Sequence, residues 1–138
     1  MANEAIIVEL LGDRGNVVDF TIGSTNAIEK GTILKLVDPR TASGGGITTG
    51  DVIAGIAASE KAAAETEQTK LGCYQKGIFD LVVTAGATGV TLGAYVAMSG
   101  ANTIRNAVAA EVEGGKVIGK ALETGTAGEV IQVLVDLA

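Results

Sequence analysis

The stretch Thr69-Lys-Leu-Gly-Cys-Tyr-Gln-Lys76, Gly77, Ile78-Phe-Asp-Leu-Val-Val83 decides the fold class. It holds two short runs in which apolar side chains return at every second position, the period of a half-buried strand. The Lys76-Gly77 step between them reads as a bulge or tight bend. Working outward, runs of the same texture occur at residues 5–11, 17–22, 32–37, 52–57, 94–98, 103–106, 117–122 and 130–137. They end at Gly, Asn, Asp or Thr clusters, the punctuation of strands. Turns are expected at residues 12–15, 43–46, 86–89, 100–102 and 113–115. Only residues 59–66 have helical character, with Ser59 placed to cap Glu60-Lys-Ala-Ala-Ala-Glu65. The expected architecture is all-β with one short helix, in a single domain over residues 1–138.

Composition supports this. Ala and Gly supply 41 of 138 positions, and Phe20, Tyr74, Phe79 and Tyr95 are the only aromatics. The core must therefore be built from Val, Ile and Leu, which suits sheets. Twenty glycines beside a single proline, Pro39, imply many tight turns. The chain is long enough to bury a core.

A weak internal echo runs through these strands. Gly31-Thr-Ile-Leu-Lys-Leu36 resembles Gly93-Ala-Tyr-Val-Ala-Met98, and Gly50-Asp-Val-Ile-Ala-Gly55 resembles Gly115-Lys-Val-Ile-Gly119. Either β-proteins reuse Gly-then-Val-Ile patterns by chance, or the chain holds two stacked β-units that close into a barrel and leave few raw edges.

The charge balance, −6 with the ten basic residues scattered singly, argues against a nucleic-acid partner. The start Met1-Ala-Asn-Glu-Ala5 lacks the basic and apolar regions of a signal peptide. The apolar residues 52–58 are too few to span a membrane, so no membrane partner is expected. Cys73 is alone, which fits synthesis in a reducing compartment.

Absent chemistry carries the functional argument. Without any His, the commonest general base and zinc ligand is missing, and one Cys leaves no structural zinc site. Glu65 with Glu67, and Glu111 with Glu113, are the closest carboxylate pairs; on a strand their spacing would put them on one face, but a solvated face or turn is the better reading. The loop Gly44-Gly-Gly-Ile-Thr-Thr-Gly50 lacks the Gly-Lys-Ser/Thr ending of a phosphate loop. Ala94-Tyr-Val-Ala-Met98 sits where a biotinyl or lipoyl domain carries its lysine beside methionine, and here no lysine is present. Cys73 reads as a buried, inert thiol. No catalytic residue, metal site or cofactor is expected, and the chain is read as no enzyme.

The stretch Gly50-Asp-Val-Ile-Ala-Gly-Ile-Ala-Ala-Ser59, then Gln68-Thr-Lys-Leu-Gly-Cys-Tyr-Gln-Lys-Gly-Ile-Phe-Asp-Leu81, resembles the head-decoration, or capsid-cement, proteins of tailed phages. So does the tail from Gly115 to Val135, with its Ile-Gly-x-Ala-Leu-Glu strand, Gly/Ala turn and closing strand. The resemblance covers roughly residues 28–137 and rests on order and spacing, not on any one motif. The long, Pro/Ala-rich arm of the lambda-type pattern is not visible, since the first strand is expected from Ala5.

What the resemblance implies is a β-tulip or small barrel-like domain, made in the host cytoplasm and carried on the outer capsid surface of the virion. It would be a homotrimer at three-fold and quasi-three-fold axes, with the major capsid protein as its partner. A tail-tube or fibre domain, or a non-viral β-barrel binding module, shares the enzyme-free profile. Asn3, Glu4, Ala5, Ile6, Ile7 and Val8 form the candidate capsid contact, since polar residues lead straight into an apolar edge able to add to a neighbouring sheet. The other reading of that segment is an ordinary first strand inside the barrel.

Overall fold

The computed structural model describes residues 3–12, 16–84 and 88–137. Eleven strands and one helix follow in chain order: β1 (Ile6–Glu9), β2 (Val18–Thr21), β3 (Ile33–Val37), β4 (Thr41–Ser43), β5 (Ile53–Ala57), β6 (Lys70–Tyr74), β7 (Lys76–Val83), β8 (Tyr95–Gly100), β9 (Thr103–Asn106), α1 (Ala109–Glu113), β10 (Val117–Ala121) and β11 (Val130–Asp136). Every segment expected to be a strand contains one, so the all-β reading holds. The bend expected at Lys76-Gly77 falls one residue earlier: β7 already starts at Lys76, and Gln75 marks the junction. The expected turns at residues 12–15 and 86–89 lie largely outside the described residues.

The helix is not where helical propensity put it. Residues 59–66 form turns, because tertiary contacts claim Lys61. The Lys61 backbone exchanges two hydrogen bonds with Ile28 (2.8 and 2.9 Å). Its side chain is buried, and Nζ donates to the carbonyls of Ser24 (2.7 Å), Asn26 (3.0 Å) and Ala62 (3.1 Å). Three carbonyls satisfy the ammonium's three donors, which outweighs the weak preference of a few alanines for a helix too short to nucleate alone. The helix is instead α1, after Asn106.

The strands close into two rings. In the first, the order is β2-β4-β3-β5-β6, closed. In the second, β7-β11-β10-β8-β9 closes through a β7–β9 pairing, with β1 added outside on β7. The internal echo is therefore structural, but each unit closes its own barrel instead of sharing one.

The two barrels repeat most of each other's pairings, except at the hairpin ends, where Val37 faces Thr41 in the first and a bulged Gly100 faces Thr103 in the second. The β3–β4 hairpin pairs Lys35 with Ser43 and Leu36 with Ala42, while β8–β9 pairs Ala97 with Arg105 and Met98 with Ile104. Ile33 faces Ile56 in the first barrel as Tyr95 faces Lys120 in the second. Gly31 N donates to Ala57 O, and Gly93 N to Ala121 O, both at 2.9 Å. The bridge Ile28–Lys61 returns as Val90–Gly125. Each barrel also has one parallel pairing, β2 with β4 and β7 with β9.

A glycine marks the tightest shared point. Leu34 faces Gly55 and Val96 faces Gly119, each beside a register shift. A Cβ on Gly119 would lie 2.0 Å from Leu134 O, and one on Gly55 would lie 2.7 Å from Cys73 Cβ. Only glycine lets the bulged strand approach its neighbour this closely.

Each barrel is filled by its inward-facing residues: Phe20, Leu34, Ala54, Leu71 and Cys73 in the first, and Phe79, Leu81, Val96, Met98, Ile118 and Val133 in the second. Ile33, Ile53 and Ile56, which alternate with the first barrel's interior residues, belong instead to the second barrel's core cluster. That outward face of β3 and β5 is where the barrels join. The Tyr74 and Phe79 rings also meet across the junction, with centroids 5.9 Å apart.

Gly119→Ala is expected to cost about 3 kcal/mol or more, because the new Cβ meets backbone that cannot rotate away. Gly93→Ala, with φ +81° and open space around its Cβ, should cost only about 1–2 kcal/mol for the left-handed backbone. Thermal or urea unfolding followed by circular dichroism measures both.

Candidate functional site

The candidate contact segment, residues 3–8, bridges the two barrels. Ala5 is buried, and its N–H donates to Gly31 O of the first barrel at 2.6 Å. Ile6, Ile7 and Glu9 then pair antiparallel with Asp80, Phe79 and Ile78 of β7. Ile7 packs on the large core, while Ile6 is 62% and Val8 44% exposed. Asn3 is exposed with φ +65°. Glu4 accepts a hydrogen bond from Asn102 Nδ2 at 3.3 Å. Burial raises the Glu4 carboxyl above its ordinary range, reinforced by a shared hydrogen bond with Glu29 that lowers the latter. So β1 is neither a free arm nor a member of a closed ring. It uses one edge on β7 and, among the described residues, pairs with no other strand.

The carboxylate pairs do not form acid–base sites. Glu65 and Glu67 sit in exposed turns, and Glu65 accepts from Ala62 N at 3.1 Å. Glu111 and Glu113 lie on α1, not on a strand, and point to different surroundings: Glu113 is exposed and Glu111 buried. Glu111 accepts from Arg105 at 2.8 and 2.5 Å, a two-bond ion pair, and from Val108 N at 2.9 Å, which holds the helix start. The Arg105 bond keeps the Glu111 carboxyl below the usual carboxylate range.

Cys73 is fully buried in the first barrel, and burial, with the Asp19 charge, pushes its thiol up to about 12. Among the described residues no group of three His, Cys, Asp or Glu stands together to hold a metal ion, and no helix is long and apolar enough to cross a membrane. The loop at residues 44–50 lines one side of a cleft of about 300 Å³ through Gly44 and Gly45, opposite Asn26 and Ile28. An apolar surface depression of about 470 Å³ opens between Phe20, Leu36, Val37 and Val52, with Asp38 and Arg40 at its rim. Among the described residues the surface offers a strand edge at β1 and an apolar groove.

No protein-family model matches the chain, and no curated protein sequence matches it. Among solved structures, the N base of the head fibre gp8.5 of bacteriophage phi29 superposes with a TM-score of 0.53, covering 88% of this chain and 96% of that one. The fold resembles that of a phage head-fibre base. At 14% identity the likeness is one of fold, and it takes in both barrels, because it spans nearly the whole of each chain.

Two outcomes check this description. Cys73 should resist alkylation in the native protein at pH 8 and react fully in denaturant, measured by mass spectrometry with iodoacetamide. Glu111→Gln should lose about 1–3 kcal/mol at neutral pH. Because the folded-state pKa of Glu111 lies below its unfolded value, this stabilisation is complete above about pH 4.3 and is lost as pH falls through the folded pKa. The gap between wild type and variant in a denaturation series should therefore close in acid.

Proposed function

We propose that this protein is a structural component of a phage virion, made in the host cytoplasm, that binds the outer surface of the head and acts without catalysis. The observation that carries the reading is the two-barrel likeness to a head-fibre base over 88% of the chain. The sequence resemblance to capsid-cement proteins points the same way. So does a surface whose resources are the β1 edge, exposed apolar side chains and an acidic net charge.

The partner is the major capsid protein, and the working form is a homotrimer at three-fold and quasi-three-fold axes. Small contacts, each weak alone, then act together at high effective concentration, and a symmetric oligomer on a symmetric site repeats every contact. A protein that binds only the expanded shell stabilises it by mass action, about 2.7 kcal/mol per site at a hundredfold excess over Kd. The segment Asn3–Val8 supplies part of the capsid contact through its unpaired edge and the exposed Ile6 and Val8. A fibre-base role shares the same head binding and differs in carrying a projecting segment, which the likeness to a fibre base favours as the second reading.

Purified protein mixed with unexpanded and expanded heads, with bound copies counted after sedimentation, tests the proposal. It predicts saturable binding to expanded heads and a higher temperature of DNA release. Equal binding to both forms, or no change in release temperature at saturation, contradicts the cement role; no binding to either contradicts head attachment.

A further inference from the structure

The two barrels repeat in most of their pairings but not in their exposure, and the mismatch is reciprocal. Gly31, Thr32 and Ile33, at the start of β3, are buried; Gly93 and Tyr95, at the start of β8, are exposed, with Tyr95 at 52%. At the other end of the same hairpins the order inverts. Met98 and Asn102 are fully buried, while their counterparts Leu36 and Arg40 are exposed. The cause is the junction within the chain: Asn102, in the β8–β9 turn, accepts a hydrogen bond from Ile33 N at 2.9 Å. The first barrel's β3–β5 face is thus seated on the second barrel's β8–β9 turn. One copy of each half of that contact is left over, the β8–β10 face on the second barrel and the β3–β4 turn on the first.

The leftover halves have complementary chemistry. Ile33 and Ile56 pair across the buried face, and their counterparts Tyr95 and Lys120 pair across the free one. Leu92, in the lead into β8, is exposed as well, at 63%. The free turn carries Asp38 and Arg40 beside the exposed Leu36, on the apolar groove already described. Arg40 stands where Asn102 stands in the repeat. Both residues come directly before the second hairpin strand, and both have left-handed backbone, φ +44° and +54°. Seating the turn as the chain already seats its counterpart brings Arg40, whose guanidinium lies 5.8 Å from the Phe20 ring within its own copy, to Tyr95. Arg has no acceptor to replace the Asn102 Oδ1, so what it can offer there is its charge over the aromatic ring, and Asp38 on the same turn is opposite in charge to Lys120 on the face.

We propose that copies of this chain associate head to tail, the β8–β10 face of one copy (Tyr95, Lys120) receiving the β3–β4 turn of the next (Leu36, Asp38, Arg40). The contact is heterologous, so it generates a ring when the rotation closes, as a trimer requires. It gives the homotrimer proposed above its contact surface, and to that extent rests on that reading.

Tyr95→Glu blocks only the face, and Arg40→Glu blocks only the turn. Each variant alone should fold, by circular dichroism, and lose self-association by roughly tenfold or more in sedimentation velocity. Mixed one to one, they should form a heterodimer, since one intact face then meets one intact turn. Lys120→Asp and Asp38→Lys provide a second pair, each weakening association alone and restoring it when combined in one chain. A wild-type chain that stays monomeric at about 100 µM, where even a micromolar Kd would be saturated, overturns the proposal. So do variants that associate as wild type does, or mixtures that fail to recover. Head binding is measured separately on the same samples: monomeric wild type that still decorates heads removes this interface and leaves head attachment standing. Associating protein that binds no heads does the reverse.

Discussion

One buried amide ties the two barrels to each other and to the lead into β1. Asn102 has no exposed surface, and it sits where the first barrel, the second barrel and the lead into β1 converge. Its Oδ1 accepts from Ile33 N of the first barrel, and its Nδ2 donates to Glu4 Oε2 ahead of β1. A buried polar side chain has to be matched by partners in fixed directions, or about 1–3 kcal/mol is lost for each unmet group. Apolar burial between the barrels, from Ile33, Ile53 and Ile56, supplies attraction without direction. The amide supplies direction, together with the Gly50 N–H, which donates to Met98 O across the same junction at 3.3 Å.

That arrangement makes two similar units unequal. Residues at matching places in the repeat face opposite environments: Ile33 in a core and Tyr95 in solvent, Met98 in a core and Leu36 at a groove. On the β3–β5 face the side chains follow the environment: Ile33 and Ile56 where the barrels join have Tyr95 and Lys120 as their free counterparts. The surfaces left free are the parts of the duplicated design that the chain's own fold does not use.

Much of the fold was legible in the sequence because strand alternation survives burial on either face. The positions of all the expected strands followed from it, as did the echo between residues 31–36 and 93–98. Propensity misplaced the helix, since nothing local reveals that Lys61 spends its ammonium on the distant carbonyls of Ser24 and Asn26 besides that of neighbouring Ala62. The short strand β4 went unread because three residues carry no period, although the Asp38-Pro39-Arg40 turn after β3 was a usable signal. Helix α1 had a local signal too, Glu111 three residues after Val108, reaching back to its N–H. The reciprocal exposure of Arg40 and Asn102, or of Tyr95 and Ile33, was not legible. It depends on how the barrels dock, which no window of sequence contains. Of the candidate contact, the apolar edge at Ile6–Val8 was readable, while its pairing to β7 was not.

We propose that this pair of barrels works by holding a phage head through the surfaces its fold leaves free. Electron cryomicroscopy of expanded heads saturated with the purified protein measures this most directly. The account predicts density for the two-barrel unit on the outer shell, with neighbouring copies meeting β8–β10 face to β3–β4 turn and β1 turned towards the capsid. Bare heads, or copies standing apart with Tyr95 and Arg40 both in solvent, would contradict it.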